Sequence, residues 1–273
     1  MRVVFGSVKY LFKNIWYVLP FAILPALFLT LSLDSTLIGI YVKGFFSGNP
    51  RLTFTDFFCV WSPFHFHSLL SAIYSMCAFI SVVVCASFLF PLVEKHMRIG
   101  RRTLGGLQAG FTNAFVPVLL TSLFLLAIYE LFAVILSSLL FAICAIENTI
   151  AVYILSIVVY GMCFFALFYV TVSVYLWLPC KLITGFSAYD SFRYSYRLAA
   201  VERGKLLFAF TMFMALFLAV MALTSLLSAV VQYIAAFILF VFAFLDFCIR
   251  METTYFKADK LDREDIIHTF KEY

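Results

Sequence analysis

The chain is predicted to be an all-α, polytopic integral membrane protein of about six transmembrane helices, with both termini on the cytoplasmic side. Three observations carry that prediction. Hydrophobic residues make up 65% of the 273 residues and charged residues 12%, against about 45–50% and 25% in a soluble domain. So much apolar side chain cannot be hidden from water in a core of this size, which makes lipid the solvent. Several nearly uncharged stretches exceed the roughly 20 residues that cross a bilayer. Finally, 17 of the 19 Lys and Arg residues fall into four clusters. These are Arg2/Lys9/Lys13, Lys95/Arg98/Arg101/Arg102, Lys181/Arg193/Arg197/Arg203/Lys205 and Arg250/Lys257/Lys260/Arg263/Lys271. Loops rich in Lys and Arg stay cytoplasmic, so each interval between clusters crosses the membrane an even number of times.

That parity orders the elements into a single membrane domain over 1–250. The first span is 15–33, read as retained because it is long enough to cross and lacks a small-residue cleavage site. A polar stretch from Asp34 to Phe64 is the one substantial exterior loop, its section Leu37–Phe46 suited to the outer surface. The second span, 67–93, ends at the basic segment Glu94–Arg102. Between Phe111 and Cys180 the only charges are Glu130 and Glu147. Spans at 113–141 and 150–179 with a turn at Glu147 satisfy parity, and a re-entrant piece at 131–146 is the alternative. The run Leu206–Ile249 makes the last hairpin, 206–226 and 230–249, and 251–273 is a short charged cytoplasmic tail.

A threefold rhythm runs through this order. Val4, Val8, Leu11, Phe12 and Ile15 share a helical face opposite Lys9 and Lys13, as in a helix lying on the inner surface. Tyr189, Phe192, Tyr196 and Ala199 form a similar stripe beside Asp190, Arg193 and Arg197. The intervening copy, Thr103–Gly110, is weakened by three glycines. Three copies of surface helix plus hairpin are therefore expected. The segment Ala188-Tyr-Asp-Ser191-Phe-Arg193-Tyr-Ser195-Tyr-Arg197-Leu198, followed by a span, resembles a recurrent segment of a bacterial six-span group. That group includes the YciC-like proteins and the membrane domain attached to some glycerophosphodiester phosphodiesterases. The resemblance covers the membrane part alone and implies a helical membrane domain in a bacterial inner membrane. It implies no active site, because this chain has no room for a phosphodiesterase barrel of about 250 residues.

Glu130 is the sharpest candidate for chemistry, since an ionisable group inside a span is costly. It would carry a proton or bind a cation, or else lie at the outer headgroup level or be a protonated carboxyl satisfied by a neighbouring Ser or Tyr. Ser68, Ser71, Ser75, Ala78, Ser81 and Cys85 line one side of the second span. They suit close helix packing, and Ser71 and Ser75 would be the partners of Glu130 in a polar path. Asp246 and Arg250 stand at i,i+4 with the acid first, a favourable anchoring pair. His65 and His67 would offer two imidazoles on one face of an extended segment, with Asp56 and Cys59 nearby. Zinc wants one or two more ligands, and an interfacial aromatic and His belt with Trp61, Phe64 and Phe66 is the favoured reading. The seven Cys contain no CxxC and read as packing residues.

No cofactor or metal is expected, and no nucleophile–base pair or phosphate loop suggests an enzyme. The expected partners are membrane lipids, with Arg193, Arg197, Arg203 and Lys205 contacting anionic headgroups at about 1 kcal/mol each. A homodimer and a membrane-protein partner are further alternatives, and nucleic acid is not expected. Leu261, Ile266, Ile267 and Phe270 would give the tail a small docking face. The reading is a non-enzymatic lipid-organising or accessory module, and the alternative is a transporter or permease-like subunit using Glu130.

Overall fold

The structure, a computed structural model, describes residues 2–47, 52–64 and 68–262. It is 89% helical, and the described residues contain no strand. Among the described residues ten helices follow one another: α1 Arg2–Val18, α2 Pro20–Ser32, α3 Ser35–Ser47, α4 Phe54–Trp61, α5 Leu69–Ile99, α6 Leu107–Cys144, α7 Thr149–Val174, α8 Trp177–Thr184, α9 Ala188–Ser225 and α10 Ala229–Asp262. Five of them, α5, α6, α7 with α8, α9 and α10, are long and apolar enough to cross a membrane. The pair α1–α2, bent by 93°, makes a sixth if taken as one span.

Local chemistry explains the breaks. Pro20 opens α2, where its missing N–H costs nothing. Within α1 the helix kinks at Asn14, at φ −118° and ψ 18°. Arg102 fills the gap: its guanidinium donates to Asn14 Oδ1 at 2.9 and 3.1 Å and to the Lys13 carbonyl at 3.0 Å. Thr53 and Asp56 form a capping box that starts α4. Ser68, Asn148 and Ser187 cap α5, α7 and α9. Gly100 ends α5 in the left-handed conformation, φ 72°, which any other residue would adopt only under strain.

Burial is distributed as a membrane bundle requires. In the most apolar stretch of α5, 56% of residues are buried, against 17–22% for α6, α7 and α9, so α5 is the central helix. The outer helices present large apolar side chains such as Leu120, Ile157 and Met212 outward, each more than half exposed. Water would penalise that surface and hydrocarbon does not. One core cluster joins α1, α2, α5, α8, α9 and α10 around Tyr10, Leu89, Leu176, Leu198 and Leu245. A second joins α4, α6 and α7 around Phe57, Trp61, Phe132 and Leu136.

Several expectations are revised. The re-entrant alternative at 131–146 is excluded, because α6 runs unbroken to Cys144. Of the three surface helices, only α1 turns away from the span that follows it. Residues 188–205 are instead the first turns of the continuous helix α9, since Gly204 alone does not interrupt it. Their aromatic stripe faces outward, Tyr189 at 74% exposure, while Ser191, Ser195, Leu198 and Glu202 turn inward. In α1 the buried face is Ser7, Tyr10, Leu11, Asn14 and Val18, and Phe12 is exposed. Polar side chains that find partners inside the bundle shifted that face from the one hydrophobicity suggests. The tail beginning at Met251 is, up to Asp262, a continuation of α10, with Met251, Glu252, Tyr255 and Ala258 buried. Ile266, Ile267 and Phe270 lie outside the described residues.

Candidate functional site

The described members of the four basic clusters meet at one end of the bundle. Arg102 binds Asn14, the Tyr10 hydroxyl lies 2.6 Å from His96 Nδ1, and Glu202 pairs with Lys205 at 2.7 Å and Lys257 at 3.4 Å. These contacts tie α1 to the end of α5, and the start of α9 to the end of α10. Ser7 donates to Asp246 at 3.1 Å, and Arg250 clamps that carboxylate at 2.6–2.9 Å. The i,i+4 spacing correctly suggested the Asp246–Arg250 pair, but the pair is interior: Arg250 is 4% exposed.

Beneath the exposed cations lies a buried polar layer that the sequence did not reveal. Asn14, His96, Glu202, Glu252 and Asp259 are all buried. Tyr194 donates to Asp259 at 2.6 Å. Glu252 is fully buried, faces Glu94 and Arg98 of α5, and neither of its oxygens has a hydrogen-bond partner. Each acid sits within a basic cluster in sequence and so reads as part of a solvated charged run. The one signal was periodicity: Tyr194, Leu198 and Glu202 share a helical face. The four proposed headgroup contacts divide. Arg193 and Arg197 are exposed. Lys205 is paired with Glu202, and Arg203 lies over the rings of Tyr169 and Tyr196 at 5.1 and 5.2 Å.

Toward the opposite end of the bundle, Glu130 on α6 meets Ser62, the residue that ends α4. The Ser62 hydroxyl lies 2.8 and 3.0 Å from the two carboxylate oxygens and accepts the Phe64 N–H at 3.0 Å. Glu130 is thus a capped carboxyl. Ser71 and Ser75 are not its partners: Ser75 turns back to the Ser71 carbonyl at 2.9 Å. Ser81 and Ser87 also bond carbonyls of their own helix, so the small face of α5 serves close packing.

Two cavities flank Trp61. A central one of about 450 Å³ lies among α2, α4, α5, α6 and α10, with Ser62 and Ser75 among its few polar residues. A lateral slot of about 640 Å³ lies between α7 and α9 and is floored by α3 and α4. Trp61, Val60, Leu33, Tyr129 and Phe217 border both, whereas Glu130 lines neither. Tyr41 meets Trp61 edge-on, ring centroids 6.2 Å apart. Burial holds the Tyr41 hydroxyl above its ordinary range.

His65 and His67 lie outside the described residues. Their nearest proposed co-ligands are occupied or unsuited. Asp56 accepts the Thr53 N–H and hydroxyl at 2.9 and 2.7 Å, and burial pushes the Cys59 thiol up, further raised by Asp56 and Asp34. The described residues contain no group of three or more His, Cys, Asp or Glu placed to hold a metal. Comparison with known protein families, with characterised proteins and with solved structures finds no match.

Proposed function

We propose that the protein is a non-enzymatic, lipid-organising module of a bacterial inner membrane, with its basic end and both termini in the cytoplasm. One observation carries the reading. At the end where the four clusters converge, α1 turns through 93° and presents Trp16, 86% exposed, and Phe12 beside Lys9 and Lys13. Aromatic side chains alternating with cations on a helix lying across a bundle suit the boundary between acyl chains and anionic headgroups. Exposed Arg193 and Arg197 extend that surface on α9. The likeness of Ala188–Leu198 to the six-span bacterial group supports the same setting.

A permease-like role draws on Ser62 and Ser75 sharing the central cavity. It is disfavoured by the capping of Glu130, its one specific residue, by Ser62.

The test is lipid retention by the purified protein, read by native mass spectrometry against mixed anionic and zwitterionic phospholipid. The wild type retains anionic lipid preferentially. Each cation near the surface contributes about 1 kcal/mol, so the variant Lys9→Glu/Lys13→Glu/Arg193→Glu/Arg197→Glu loses at least about a tenfold preference. Equal retention of both lipids by the wild type would sink the proposal.

A further inference from the structure

We propose that the slot between α7 and α9 holds one acyl chain of a membrane phospholipid, which enters sideways from the leaflet at the end opposite the basic clusters. The inference rests on the bilayer setting proposed above, and concerns a different surface from the headgroup contacts.

Shape comes first. The slot's lining runs from Thr211 to Ala222 on α9 and from Ile157 to Phe168 on α7. Eleven residue-to-residue steps on each wall give about 16 Å at about 1.5 Å per step. That is half of a hydrocarbon core of about 30 Å, the depth reached by the chains of a single leaflet. The volume, about 640 Å³, lies within the range of roughly 300–1,000 Å³ typical of ligand sites.

Access and chemistry agree with that occupant. Ile157 and Phe165 at the mouth are each 63% exposed, facing where lipid surrounds the bundle, while Trp61 in the floor is 8% exposed. The walls are aromatic and aliphatic, with Met214 and Met221 among them, and Met adapts to a flexible chain. Gly161 stands at the mouth, where a Cβ would meet nothing within 4 Å. At the far end the wall is α3, through Ile38, Tyr41 and Val42. The next residue, Lys43, is exposed, and places a positive charge at that end for a phosphate headgroup.

Trp61 makes the occupant observable. Only three tryptophans are present, so Trp16→Phe/Trp177→Phe leaves Trp61 as the sole indole emitter. This protein is reconstituted into vesicles of phospholipid brominated in mid-chain, and into the same lipid unbrominated. A chain in the slot brings bromine against the Trp61 ring, and its emission falls in the brominated vesicles. Gly161→Leu, or Thr211→Leu on the opposite wall, fills the slot from a position with room for the side chain and restores the emission. Gly161→Ala leaves the slot open and keeps the quenching. Circular dichroism and thermal unfolding identify which filling variants are folded, and either one suffices. Equal emission in the two vesicles, or undiminished quenching in a folded filling variant, overturns the proposal. The filling substitutions at Gly161 and Thr211 lie away from the basic end, and anionic-lipid retention is read in protein that keeps Trp16 and Trp177. Loss of quenching therefore leaves anionic-lipid retention unchanged, and loss of retention leaves quenching unchanged.

Discussion

Three acids in this bundle, Glu252 buried and Glu130 and Asp246 half-buried, are expected to respond in opposite ways to substitution, because their partners differ. Glu130 has Ser62. Ser62→Ala leaves the carboxyl without its hydroxyl and is expected to destabilise by about 1–3 kcal/mol, read as a lowered midpoint of thermal unfolding in detergent. In a Glu130→Leu background the same substitution costs much less, and a double-mutant cycle measures the difference. Asp246 has Arg250, and Arg250→Ala strands that carboxylate in the interior with only Ser7. About 3–5 kcal/mol is expected to be lost, the cost of breaking a buried pair from one side. Glu252 has no hydrogen-bond partner, so Glu252→Leu removes a desolvation cost and is expected to raise the unfolding midpoint. A lowered midpoint would mean that the carboxyl is satisfied in the membrane. Only the Asp246–Arg250 pair was legible in the sequence, because a helix places residues four apart side by side. Ser62 and Glu130 are separated by 68 positions, and Arg102 reaches Asn14 across 88. No local period encodes contacts of that range.

At the scale of the element, the glycines separate packing from open surface. A Cβ at Gly110 would lie 2.8 Å from Pro91 Cβ, where α5 and α6 approach closely. Because a proline ring cannot swing aside, Gly110→Ala is expected to destabilise by about 1–3 kcal/mol. At Gly161 the same change meets nothing within 4 Å and adds helix propensity, so stability should rise by up to about 1 kcal/mol. Thermal unfolding of the two variants side by side checks the sign at each. Element identity was well encoded. The spans expected at 67–93, 113–141, 150–179, 206–226 and 230–249 correspond to α5, α6, α7 with α8, α9 and α10. Boundaries were less so. Hydropathy ends where charge begins, yet α9 and α10 continue beyond it, since Glu202, Asp259 and their partners give the basic end a polar interior in which helices still pack. The threefold surface-helix rhythm failed for the same reason. An amphipathic stripe marks two environments without saying which is lipid and which is a neighbouring helix.

At the scale of the whole molecule, charge placement and apolar exposure divide the work. The central helix α5 and its neighbours bury the polar layer, while α6, α7 and α9 turn bulky apolar side chains outward. A bundle so arranged has one orientation consistent with its charge, and that orientation underlies both lipid sites proposed above. The clustering of Lys and Arg made the shared end legible from the sequence. The slot was invisible there, because its walls come from helices distant in the chain and its residues differ in no way from other lipid-facing ones. The claim on which the rest depends is that all four clusters face the cytoplasm. It is tested by fusing to the chain's C-terminus, and separately to its N-terminus, a reporter active only in the cytoplasm. A third fusion inserts the same reporter between α3 and α4. Activity at both termini and none at the insertion is the predicted result. Activity at one terminus alone, or at the insertion, would contradict it.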